Sequence, residues 1–100
     1  MTLKTTRFDV SEHLDSPEMI AGYLAEAFAT RDTAFIADAL GTVARAKGMT
    51  AIAKEAGLSR ESLYKALSAE GQPQFATVLR VLRALDLDLT VSARATKNIG

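Results

Sequence analysis

Apolar residues recur along this chain at two spacings, and the change of spacing divides it. Residues 5–10 (Thr-Thr-Arg-Phe-Asp-Val) alternate, with Phe8 and Val10 on one side and Arg7 and Asp9 on the other. That period of two predicts a short strand or extended arm within residues 1–15. From Ser16 to residue 86 the spacing becomes helical. Ser16 is a cap, Pro17 fits the first helical position, and Glu18 suits the positive end of a helix dipole. Ile20, Leu24, Ala27 and Phe28 then form one stripe with Tyr23 at its edge, ending near Thr30. Asp32 caps a second helix whose inner face is Phe35, Ile36, Ala39, Leu40, Val43 and Ala44, stopping near Lys47 at Gly48. Gly41 inside that helix costs about 1 kcal/mol relative to alanine, a cost that the close approach of another helix would explain.

Three shorter elements follow. A helix over 50–56 ends at Gly57, and a second over 59–67 ends near Ser68. After a loop over 69–73, a third runs over 74–85 with Phe75, Val78, Leu79, Leu82 and Leu85 on its apolar face. The period then returns to two: Leu87, Leu89, Val91 and Ala93 alternate with Asp88, Thr90, Ser92 and Arg94. This predicts a strand over 87–94, before a tail over 95–100. A lone strand leaves backbone groups unpaired. Its partner is either residues 5–10 or the same strand of a second subunit, with Leu87, Leu89 and Val91 as the pairing residues. The expected fold is therefore one all-α domain of about five helices with a short C-terminal β-strand.

Composition narrows the classes. One hundred residues make a single domain with a limited core, so a partner subunit can contribute to its stability. The absence of cysteine removes disulfides, thiolate chemistry and Cys-based zinc sites, and agrees with a cytoplasmic protein. No apolar run approaches the ~18 residues of a membrane span, and residues 1–15 lack a signal-peptide core. The only histidine, His13, has no carboxylate at a metal-binding spacing, and no serine has a base in a triad-like arrangement. No enzyme activity, metal or cofactor is expected. The net charge is zero but unevenly placed. Residues 1–40 set three Lys/Arg against seven Asp/Glu, a net of −4; residues 41–100 set nine against five, a net of +4. An acidic front and a basic back suggest two partners, although solvated helix faces account for the same asymmetry.

The stretch from Met49 to Leu67 carries the functional signal. Ile52 and Ala53 face the core, and the small Ala53 lets the next helix cross closely. Gly57 supplies the positive φ of a sharp turn, Leu58 plugs the corner, and Ser59 caps the second helix. Leu63 and Leu67 bury its inner side, leaving Arg60, Glu61, Tyr64 and Lys65 outward on the first turn and a half. A helix, a tight glycine turn and a second helix with polar groups at its exposed N-terminal end suit insertion into a DNA major groove.

Met49 to Leu67, with Phe75-Ala-Thr-Val-Leu-Arg-Val-Leu-Arg-Ala-Leu85 after it, resembles the phage repressor/Cro (Xre-type) helix-turn-helix family. The fuller pattern is similar to the addiction-module antidote family, the HigA-like antitoxins. It is carried by Phe8-Asp9, Ile20-Ala-x-Tyr-Leu24, Gly48-Met-Thr, Ala56-Gly-Leu-Ser-Arg-Glu-Ser-Leu-Tyr-Lys-Ala-Leu67, Gly71-x-Pro73 and Phe75-x-Thr77, within residues 8–93. The resemblance implies a lambda-repressor-like fold and a homodimer that represses its own operon by binding operator DNA. It also implies direct neutralisation of a RelE/HigB-like toxin, for which the acidic half is the expected surface. The alternative is a stand-alone Xre-type regulator without a toxin, or an interaction module whose motif no longer binds DNA.

The resemblance further assigns base reading to the first, second and sixth positions after the cap, here Arg60, Glu61 and Lys65. Arg60 suits a bidentate pair of bonds to guanine, worth about 1–3 kcal/mol of discrimination. Glu61 has two readings, an acceptor for cytosine or a residue placed for the helix dipole. Lys65 suits a phosphate better than a base. Ser59 is first a cap and then a phosphate neighbour. Thr50 either meets phosphate at a helix N-terminus or caps that helix. Tyr64 either lies over the sugar-phosphate backbone or packs at the helix edge. Arg80 and Arg83 are expected to serve solubility or the dimer surface.

Overall fold

The computed structural model describes residues 14–94, which fold into five α-helices. These are α1 (Pro17–Ala29), α2 (Thr33–Lys47), α3 (Met49–Ala56), α4 (Arg60–Ala66) and α5 (Phe75–Ala84). Every expected helix is present, with ends within a residue or so of where caps and stops place them. The Ser16 hydroxyl accepts the Met19 N–H at 3.2 Å, with Pro17 at the first helical position. Asp32 Oδ1 accepts the N–H groups of Ala34 at 3.1 Å and Phe35 at 3.2 Å, opening α2. Between them Arg31 takes a left-handed turn, φ 59°, a conformation that costs a non-glycine residue strain.

The core gathers Ile20, Leu40, Val43, Leu63, Leu67 and Val81, all fully buried. Helix α3 packs against α5, α2 and α4, while α1 covers α2. Gly41 stands where the sequence expected close contact. A Cβ there would overlap the Leu67 carbonyl oxygen, so α2 abuts the end of α4 backbone to backbone.

Expectations about the buried helix faces and about the tail are corrected. The buried stripe of α5 is Val78, Val81 and Leu82, continued by Leu85, rather than one through Phe75 and Leu79. Phe75 is 67% exposed and Leu79 41%, because packing on α3 turns the helix toward Val81. In α2, Phe35 likewise points out, 49% exposed.

The second correction concerns the tail: residues 87–94 form no β-strand. Asp86, at φ 64°, ends α5 with its N–H on the Arg83 carbonyl, and the Leu87 N–H returns to Leu82 O at 2.9 Å. This is the paired closure that terminates many helices. Leu87 then settles against the core. Beyond it, no described backbone group bonds to residues 88–94, and Leu89 and Val91 stay exposed. Alternation alone does not make a strand; a ladder partner does, and the described chain offers none. The arm over 5–10, His13 and the tail over 95–100 lie outside the described residues.

Candidate nucleic-acid interface

Helices α3 and α4 are joined by only three residues, 57–59, and local bonds set the angle of that joint. Gly57 adopts φ 74° and ψ 33°. Its N–H bonds Lys54 O at 3.2 Å, and the Leu58 N–H reaches back to Ala53 O at 2.9 Å. Two otherwise orphaned carbonyls are satisfied, and only a left-handed residue closes this loop without strain. Ser59 then opens α4: its hydroxyl oxygen accepts the Ser62 N–H at 3.0 Å and donates to Ser62 Oγ at 2.9 Å. Buried Leu63 and Leu67 anchor the inner side of the helix.

That anchoring leaves one face of α4 open. Arg60, Glu61, Ser62, Tyr64 and Lys65 are all exposed. The Arg60 guanidinium lies over the Tyr64 ring, 5.5 Å from its centroid. Such a contact, worth about 0.5–1 kcal/mol at an exposed site, holds the arginine against the helix, and it uses none of the five guanidinium N–H donors as a hydrogen bond. The i,i+4 spacing of Arg60 and Tyr64 was a legible signal for it. Ser62, which shares the outer face and takes the bond from Ser59, is a candidate that the sequence reading passed over.

Thr50 does not cap α3. The cap position is Gly48, at φ 113°, which has no side chain to accept a bond. Thr50 sits exposed in the first turn, and the leading N–H groups of α3 have no side-chain acceptor among the described residues. A helix end of this kind is suited to a phosphate. Arg80 and Arg83 lie with Glu55 around a shallow hollow at the Gly57 turn, so they sit beside this joint rather than on a remote surface. The arrangement as a whole is a short, rigidly held helix with a guanidinium, an ammonium, a carboxylate and hydroxyls on its open side. It can donate and accept hydrogen bonds along a groove floor. Among the described residues, no helix is long and apolar enough to cross a membrane.

Comparison with known proteins gives two matches. A family model described as "Probable addiction module antidote protein" matches residues 4–93. An uncharacterized protein of Haemophilus influenzae is 50% identical over 91 residues, covering 91% of this chain and 94% of the relative. No solved structure matches.

Proposed function

The chain belongs to the probable addiction module antidote family, and we propose that it is a type II antitoxin that also represses its own operon. In this reading it binds and neutralises a RelE/HigB-like toxin directly. It meets operator DNA through α3 and α4 as a helix-turn-helix, with α4 in the major groove. A dimer would place two such helices about one helical turn apart, facing two half-sites. Residues 88–94, whose backbone bonds to nothing among the described residues, are the dimer contact in this reading, because they offer an edge to an identical segment. Family membership supports the antitoxin role.

One observation carries the DNA half: α4 is buried along Leu63 and Leu67 while Arg60, stacked on Tyr64, stays open at its N-terminal end. The test is fluorescence anisotropy with a duplex from the region upstream of the gene, comparing the parent chain with Arg60→Ala. Loss of one base contact should cost about 1–3 kcal/mol and relax sequence preference. Losing a phosphate contact would instead lower the salt slope by about 0.9. Unchanged affinity at moderate salt would remove α4 as the reader. Co-expression with the adjacent open reading frame tests the other half; the proposal expects the two products to co-purify.

A further inference from the structure

We propose that Gly41 and Gly71 act together as a clamp that seats the C-terminal end of α4, and so are positioning residues for DNA reading. The inference rests on α4 being the reading helix, but it makes a claim of its own. Helix α4 has seven residues, too few to hold a position by itself. The Gly57 turn and the Ser59 cap set its N-terminal joint, but the outer face there must stay open to meet a duplex, so any further hold on the helix has to come from the opposite end.

That end is held from two sides by bare backbone. A Cβ on Gly41 would overlap the Leu67 carbonyl oxygen, and a Cβ on Gly71 would overlap the Lys65 carbonyl oxygen. The last three carbonyls of the helix region thus lie between α2 and the loop after residue 68. Neither glycine has a positive φ, so neither is required for a turn. Gly41 sits mid-helix, where alanine is the better helix former, and only contact explains it. Local bonds pin the same end: the Ser68 hydroxyl donates to Lys65 O at 3.1 Å, and the Gly71 N–H donates to Ser68 O at 2.9 Å. Arg45 Nη1 lies 3.2 Å from where the Gly41 Cβ would stand, bringing positive charge to the negative end of α4. Groups that read a ligand must be held within about 0.5 Å, whereas relieving a backbone overlap shifts the helix by more.

The experiment compares Gly41→Ala and Gly71→Ala with the parent chain, using Gly22→Ala and Arg60→Ala as controls. Gly22 has nothing within 4 Å of its added Cβ, so its alanine variant should bind both duplexes as the parent does, with the fold if anything about 1 kcal/mol more stable. Each variant is read by circular dichroism, by amide exchange of α4, and by anisotropy on operator and on unrelated duplex. The clamp predicts folded variants whose α4 amides exchange faster than the parent's. Operator affinity should fall on the order of tenfold, the worth of about one base contact, while binding to unrelated duplex at low salt is kept. Gly41→Ala should be the stronger, because a helix yields less than a loop. If Gly41→Ala does not fold, Gly71→Ala carries the test. Unchanged α4 exchange in Gly71→Ala, or equal losses on both duplexes, overturns the clamp. If Arg60→Ala also leaves operator affinity intact, DNA reading by α4 fails, and the exchange data still judge the clamp.

Discussion

Ser59 has two assignments, cap and phosphate neighbour, and a pair of near-isosteric substitutions separates them. Its oxygen accepts the Ser62 N–H at 3.0 Å on an exposed helix end. Losing such a cap costs about 1 kcal/mol, within a range of about 0.5–2. For a domain of this size that lowers the melting temperature by roughly 4–8 °C. Ser59→Ala should show this loss in a thermal melt. Both Ser59→Asp and Ser59→Asn should melt near the parent, because either side chain caps as well as serine. They part on DNA. A new carboxylate at about 7 Å from a phosphate costs about 0.6 kcal/mol in bulk water and about 2.4 kcal/mol at an effective dielectric of about 20. Anisotropy on the operator should therefore show Asp binding roughly three-fold to fifty-fold weaker than Asn, with the gap narrowing as salt is raised. Equal affinities for Asp and Asn across salt would mean that no phosphate comes near Ser59, and the docking mode would be wrong.

Two further perturbations address the turn and the tail. Gly57→Ala meets no neighbour within 4 Å, so its cost is backbone strain alone, about 1–2 kcal/mol in the melt. Gly57→Asn should recover part of it, since asparagine tolerates the left-handed region. Deleting residues 88–100 leaves Leu87 on the core, so the melt of the monomeric domain should change little. Sedimentation should show weakened self-association, and an intact dimer would refute pairing through 88–94.

Much of this fold was legible because its punctuation is local. Ser16, Asp32 and Ser59 each precede a helix and accept its early N–H groups, and Gly57 closes α3 with bonds inside a six-residue window. The open face of α4 followed from Leu63 and Leu67 at a spacing of four. What escaped depends on distant packing. The α5 stripe is read wrongly by a residue or two because both Phe75 and Val81 suit a buried face, and only α3 decides between them. The tail alternates as a strand does, yet strand formation needs a partner absent from the described chain. Thr50 looked like a cap because threonine commonly is one, but Gly48 serves as both the end of α2 and the start of α3. Gly71 was placed in the loop over 69–73 and in the Gly71-x-Pro73 motif, but spacing alone does not show that the turn through Ser68 folds it back onto the Lys65 and Ala66 carbonyls.

The central claim is that the open face of α4 enters a duplex groove. Its most direct measurement is a backbone amide NMR titration of the labelled protein with operator DNA at moderate salt. The largest shifts should fall at residues 59–65 and at the start of α3, with α1 unaffected. Shifts confined to α1 and α2, with residues 59–65 unmoved, would contradict it.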